Sequence, residues 1–398
     1  MSIGVYYLES TNAAGVTINS YNREVVERLS ALSGQDLVFT DLEHVSDHDL
    51  LMVFVGGGGV EGRFKAVVDQ LPEPVFLLTT GLNNSLAASM EILSYLKQND
   101  IPGEIIHGSE AKMAKRIADL AKVFKAANRI RNMRLARVGQ PSDWLISSDV
   151  DADELKEMTG IEVVDVSMEE FFAEIARKQY EPNEYTEAIK ARNWHPQDTE
   201  LCCQIYGALK RIVEKYHLDG LTVRCFDLLG PIKGTSCLAL AVLNAEGIYG
   251  GCEGDLPALI SMAAAGELTG QPVFMANPSR ILSDDNDIIF AHCTLPLNMP
   301  TNYELMTHFE SDLGVAFRGH IQEGPVTIFK TDGLMSRYFA ACGDLQENLK
   351  ELNLCRTQVR IHLDEDTLNY FLTESIGNHH MILNGDWVDL IDEFYKWF

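Results

Sequence analysis

The sequence predicts an α/β protein: two doubly wound, Rossmann-like α/β domains followed by a β-rich, barrel-like C-terminal domain. Three observations carry this expectation. Short apolar runs alternate with longer amphipathic ones through the first two thirds of the chain, the pattern of strands joined by helical crossovers onto a parallel sheet. The alternation restarts once, after a long amphipathic segment near residues 109–132. Beyond about residue 272 helical periods give way to closely spaced β-type segments with tight turns, which suits a sandwich or barrel. A chain of 398 residues also exceeds what one core supports.

The elements follow in order. The first domain, residues 1–132, reads as SIGVYYL, NREVVERLSAL, DLVFT, DLLMVFV, GRFKAVVDQL, PVFLLTT, SLAASMEILSYLKQ and PGEIIHG, closed by the helix at 109–132. The second, 133–271, runs from MRLARVG through EVVDVS, SMEEFFAEIARK, DTELCCQIYGALKRIVEKYH and GLTVRCF to YGGCEGD and an apolar helix-forming stretch. In the third, 272–398, PVFMANPSRIL, DIIFAHC, VAFRGHIQEGPVTIFKTDG, SRYFAACG, TQVRIHL and NHHMILN read as β-segments turning at DDND, EGPV and NGD. Only the last dozen residues of that domain read as helix.

Composition narrows the function classes. With 46% hydrophobic and 23% charged residues the chain resembles an ordinary globular protein. Its formal net charge of −26, from 32 Lys plus Arg against 58 Asp plus Glu, argues against a nucleic-acid partner, which needs clustered basic side chains. The two densest basic stretches, KMAKRIADLAKVFKAANRIRNMR and ARKQYEPNEYTEAIKAR, read as solvated helix faces. No signal-like n-region and h-region opens the sequence, and no apolar run approaches a bilayer span, so no membrane partner is expected. Eight cysteines without a C-x-x-C pair suggest reduced, core-filling thiols in a cytoplasm.

Several stretches could carry chemistry. In YGGCEGDLPALISM, Asp255 suits a helix N-cap, whereas Glu253, a long carboxylate on a Gly-rich turn leaving a strand, suits a ligand or metal. VFVGGGGVEGRF holds a G-x-G-x-x-G (Gly57, Gly59, Gly62) of dinucleotide type, but after the third strand and with no acid about 20 residues on, so it reads foremost as a flexible turn. TTGLNNSLAAS places Asn83, Asn84 and Ser85 at a strand-to-helix junction, where they serve as a cap or as hydrogen-bonding contacts for a polyol. His379 and His380 are strand neighbours, so at most one of them faces a given pocket. His292 sits in IIFAHC, flanked by apolar residues. Carboxylate from one domain and imidazole from another would suit a divalent ion such as Mn²⁺.

The ordered set EGD, a strand some 25 residues later, A-H-C on the next strand and a distant G-x-H-H resembles the L-fucose and L-arabinose isomerase superfamily. TTGLNNSLAASMEI and VRCF are similar to segments of fucose-isomerase-like proteins. The resemblance implies an aldose–ketose isomerase that holds Mn²⁺ and an open-chain sugar and moves a proton between C1 and C2 through an enediol. It implies Glu253 as first metal-binding carboxylate, His380 as distal histidine ligand and His292 as the other active-site histidine. Asn83, Asn84, Ser85, Arg224 and His379 are then the expected sugar contacts. A homo-oligomer, trimer or hexamer, is also implied.

The second carboxylate of the family pattern falls in FMANPSR, where this chain has Asn277. A carboxamide oxygen still ligates a cation but accepts no proton as a general base. Either Asp255, Asp284 or Asp285 supplies the missing acid, or the reaction differs, or the protein binds carbohydrate without catalysis.

Overall fold

All six residues of the segment LLMVFV, Leu50–Val55, are buried, so it has no solvent face. That is the pattern of a central strand in a parallel sheet covered on both sides. The structure, a computed structural model that describes residues 1–8 and 20–398, places it so. Strands β1 (Ile3–Leu8), β2 (Leu37–Thr40), β3 (Leu50–Val55), β4 (Val75–Thr79) and β5 (Gly103–Ile106) form a parallel sheet in the order β2-β1-β3-β4-β5. Helices α1 (Ser20–Ser33), α2 (Glu61–Val67), α3 (Ser85–Gln98) and α4 (Glu110–Arg131) alternate with the strands. Leu50, Met52 and Phe54 join a core with Val25 and Leu29 of α1 and Ile117 of α4, while Leu51, Val53 and Val55 join a second core with Phe64 of α2 and Ile92 of α3. This sheet belongs to one compact unit, Met1–Asn128 with Glu393–Phe398.

The glycine run after β3 packs against the TTGLNN loop. Gly58 donates its N–H to the Asn83 carbonyl at 2.8 Å, and a Cβ there would lie 3.2 Å from that of Asn84. Asn84 occupies the N-cap position of α3 but makes no side-chain cap bond, because its left-handed backbone (φ 62°) is not the extended conformation that brings a cap oxygen to the helix N–H groups. Ser85 is buried, its hydroxyl accepting from Thr79 Oγ1 at 2.7 Å.

The second unit, Arg129–Asp392, contains the second parallel sheet and the barrel. Strands β6 (Arg134–Val138), β7 (Glu162–Val166), β8 (Gly220–Val223) and β9 (Tyr249–Cys252) lie in the order β7-β6-β8-β9. Between and after them run α5 (Ala152–Thr159), α6 (Met168–Ala176), α7 (Glu184–Ala191), α8 (Pro196–Tyr216), α9 (Cys237–Ala245) and α10 (Leu256–Thr269). The remaining strands are β10 (Phe274–Leu282), β11 (Asp287–His292), β12 (Asn302–Met306), β13 (Ala316–His320), β14 (Gly324–Thr331), β15 (Tyr338–Asn348), β16 (Thr357–His362) and β17 (His380–Asn384). Six of them close an antiparallel barrel, β10-β11-β16-β15-β14-β17, and β12 pairs with β13 alone. Alternate residues fill its interior, among them Ile288 and Phe290, Val326 and Ile328, Val359 and Ile361.

One helix in this region departs from the expectation that only the chain's last dozen residues are helical. Helix α11 (Glu365–Thr373) is capped by Asp364, whose Oδ1 accepts from Thr367 N at 2.8 Å, and sends Leu368 and Phe371 into the barrel core. The terminal helix, α12 (Val388–Trp397), is present as expected.

Helix α10 connects the two sheet systems of this unit. It is apolar all round and almost wholly buried, packing against β8 and β9 and also against β10, β14 and β17. The turn that starts it is thereby brought to the rim of the barrel.

Candidate metal centre

The turn from β9 into α10 carries the EGD tripeptide. Glu253 and Gly254 both adopt left-handed backbone, φ 62° and 71°. Glycine is required at 254, since a Cβ would come within 2.6 Å of the Gln140 carbonyl oxygen. Glu253 accepts the same conformation with a side chain, at a cost of about 1–2 kcal/mol. The Glu253 carbonyl receives Ser142 N–H at 2.9 Å, and Gly254 N–H donates to the Val223 carbonyl at 3.0 Å. Asp255 is the N-cap of α10, with Oδ1 accepting from Ala258 N–H at 2.9 Å.

This turn meets two histidines from the barrel. Glu253, His292 and His379, all buried, each offer one ligand atom within 4.8 Å of the others. His379 is fully enclosed. Its Nδ1 bonds Asp255 Oδ2 at 2.7 Å, so Asp255 spends one oxygen on the helix and the other on the imidazole. Its Nε2 lies 3.6 Å from Glu253 Oε1, beyond hydrogen-bond length, and has no partner among the described residues. An orphaned buried polar nitrogen costs about 1–3 kcal/mol. His292 bonds Thr294 Oγ1 through Nδ1 at 2.7 Å, which leaves Nε2 as the nitrogen available to an ion.

The electrostatics follow from burial and pairing. Burial works against the imidazolium of His379, but the Asp255 bond and the nearby Glu253 carboxylate outweigh it and raise its pKa to about 9. Burial, together with the neighbouring His379 charge, pushes His292 down to about 4. Burial also opposes ionisation of Glu253 and Asp255, yet His379 and Trp144 hold the first below its ordinary value, and Lys330 and His379 hold the second well below. Two imidazole nitrogens and a carboxylate oxygen, with a second carboxylate orienting one imidazole, are a fitting donor set for a borderline divalent cation. The unpartnered Nε2 is the atom such an ion would satisfy.

The other residues singled out in the sequence stand as follows. His380 is not with Glu253; His379 is. One residue along a strand reverses the side chain, and His380 lies on the barrel face shared by Ile382, with its ring among Phe290, Phe339 and Phe371. Both its nitrogens are used, Nδ1 on the Asn378 carbonyl and Nε2 on the Tyr370 hydroxyl, each at 3.0 Å, and burial pushes its pKa down to about 3. Asn277 Oδ1 accepts from Asn378 Nδ2 at 3.2 Å, supporting the segment that delivers His379.

Arg224 is committed to Asp227, Asp143 and the Pro141 carbonyl. Ser85 is buried against Thr79, whereas Asn83 and Asn84 are exposed. Asp284 and Asp285 occupy the turn at one end of the β10–β11 hairpin, and Asn277 and His292 lie toward its other end, so neither acid replaces the missing carboxylate. Sequence reasoning missed two features: the Asp255–His379 bond and Trp144, whose indole N–H donates to Glu253 Oε2 at 2.6 Å. The first had a signal, since an N-cap aspartate leaves one oxygen free. Trp144 stands in the loop PSDWLISSD, which has no periodicity to read.

No protein-family model matches the chain. It is 23% identical over 260 residues to the sulfoquinovose isomerase of Priestia aryabhattai and equally to that of Priestia megaterium (strain ATCC 12872 / QMB1551), covering 62% of this chain. A sulfoquinovose isomerase of Clostridium sp. (strain MSTE9) is 32% identical over 91 residues, 23% of this chain and 20% of the relative. The match to the two Priestia proteins spans 58% of the length of those curated relatives.

Proposed function

We propose that the chain is a metal-dependent aldose–ketose isomerase that transfers a proton between C1 and C2 of an open-chain sugar. The observation that carries the reading is the buried Glu253–His292–His379 group with its unpartnered Nε2. A divalent ion such as Mn²⁺ would be held there and would supply Lewis-acid polarisation of the sugar's carbonyl and adjacent hydroxyl. The chain's own residues set the conditions. Asp255 fixes the His379 tautomer, with the proton on Nδ1 and the lone pair of Nε2 turned into the site. Burial keeps His292 neutral and a ligand at neutral pH. Asp255 is bonded through both oxygens, and His292 would be committed to Thr294 through Nδ1 and to the ion through Nε2, which leaves Glu253 as the acid–base group next to the reacting atoms.

Sulfoquinovose is the first sugar to test, because the similar proteins carry that name. Manganese, a homo-oligomer, a cytoplasmic setting and a division at residues 132 and 271 belong to the same reading. The test incubates the purified protein with Mn²⁺ and a panel of aldoses including sulfoquinovose and assays ketose. Turnover that disappears with EDTA and in Glu253→Gln supports isomerisation; no ketose from any sugar overturns it. Asn277, where the resemblance expects a carboxylate, favours a second reading as a carbohydrate-binding protein without catalysis. Sugar-induced thermal stabilisation without turnover would support that one.

A further inference from the structure

The segment from Gly139 to Leu145 contacts Glu253 twice. Ser142 N–H takes its carbonyl, and the Trp144 indole N–H takes Oε2 at 2.6 Å. The segment is itself held. Arg224 bonds the Pro141 carbonyl and reaches Asp143 Oδ1 at 3.0 Å, and the Trp144 ring meets Phe226 edge-on, 4.9 Å between centroids. Trp144 nevertheless remains 54% exposed while Glu253 is 8% exposed. A large aromatic ring left in solvent but bonded to a buried carboxylate is poorly explained by packing alone.

The two oxygens of Glu253 therefore have different surroundings. Oε2 accepts from a rigid, neutral donor, and Oε1 faces His379 Nε2 at 3.6 Å. A free carboxylate could rotate or engage an ion through both oxygens; one short bond to a ring with only two side-chain torsions removes that freedom. We propose that Trp144 is a positioning residue of the metal centre, holding Oε2 of Glu253 so that Oε1 alone is presented to the ion beside Nε2 of His379. This rests on the metal reading of the site. Arg224, expected from the sequence to touch sugar, acts one step further back by anchoring the segment that carries Trp144.

The experiment titrates the full chain with Mn²⁺ alone, by calorimetry, in wild type, Trp144→Phe, Trp144→His and Glu253→Gln. Phenylalanine keeps a ring against Phe226 and removes the N–H, and affinity is expected to fall at least about tenfold, the usual range for a group that orients a metal ligand. Histidine, which retains a ring N–H, is expected to recover part of the loss. A second measurement needs no ion: in ¹⁵N-tryptophan-labelled, metal-free protein, the one of four indole resonances missing from Trp144→Phe is expected to move in Glu253→Gln. Affinity of Trp144→Phe within twofold of wild type, or an indole resonance unmoved by Glu253→Gln, overturns the proposal while leaving the metal site standing. Wild type that takes up no Mn²⁺ overturns the metal reading and the proposal with it.

Discussion

Raising the pH from 6 to 9 should tighten metal binding steeply and release one proton per ion. A ligand nitrogen must give up its proton before it can bind. At pH 7 the three candidate ligands differ: Glu253 is ionised, His292 is neutral above its value of about 4, and His379, at about 9, is protonated. The single proton to be displaced sits on Nε2 of His379, because Nδ1 is bonded to Asp255. Two pH units below the pKa, displacement costs about 2.7 kcal/mol at 1.36 kcal/mol per unit, a hundredfold in apparent affinity. The dissociation constant for Mn²⁺ should then fall about tenfold per pH unit from 6 to 9 and level off above. Calorimetry in buffers of different ionisation enthalpy measures both the affinity and the protons released. An affinity that is flat from pH 6.5 to 8.5, or binding with no proton released, would refute the assignment of His379 as the protonated ligand.

Three further outcomes follow from the same geometry. Because the folded-state pKa of His379 is raised above its unfolded value of about 6.5, its contribution to the metal-free protein is fully present below pH 6.5 and lost as pH rises through 9; over that window denaturation in EDTA should show a decline of about 3 kcal/mol that is missing in His379→Gln. His379→Gln should abolish Mn²⁺ binding, whereas His380→Phe should retain it and lower stability by about 1–3 kcal/mol, because the Tyr370 hydroxyl keeps only its bond from Ile376 N–H and the Asn378 carbonyl loses its imidazole partner, as calorimetry and urea melts can compare. Asp255→Asn should preserve the α10 cap, since asparagine caps as well as aspartate, yet weaken Mn²⁺ binding about 10- to 100-fold and flatten its pH dependence; unaltered binding would show that the buried carboxylate does not orient the histidine.

Much of the fold is legible because both parallel sheets are built from segments whose periodicity leaves little choice. LLMVFV has no polar residue and is covered on both faces, and the helix expected near 109–132 forms at Glu110–Arg131. Where the expectation failed, local and tertiary signals competed. Helix α11 holds Leu368, Tyr370 and Phe371, which also suit a strand, and its cap at Asp364 followed by Glu365 and Asp366 was the start signal left unused. At the TTGLNN junction the strand-to-helix position was right and the cap was not, because left-handed backbone at Asn83 and Asn84 removes the side-chain cap that composition suggests. Glu253 and His292, singled out from residue type and setting, do lie together with His379. The choice between His379 and His380 was not, because alternation says that neighbours diverge and says nothing about which way each points.

What settles that choice is the tripeptide before α10, where a structural and a chemical role turn out to be one arrangement. Asp255 caps a helix that is buried along almost its whole length, so the orphan N–H groups of its first turn cannot rely on water and need a side-chain oxygen. A carboxylate that meets this need through Oδ1 has Oδ2 left over in the same buried space, where an unpaired charged oxygen would be costly. His379 Nδ1 satisfies it, and the ring is thereby turned so that Nε2 points at Glu253, two residues back along a turn that only Gly254 allows. The same α10 packs against the barrel strands β10, β14 and β17, the last of which begins directly after His379, so the capped helix and the histidine are held together. Reading Asp255 as a cap was therefore correct and incomplete: the burial that makes the cap necessary is also what makes its second oxygen available to orient a ligand.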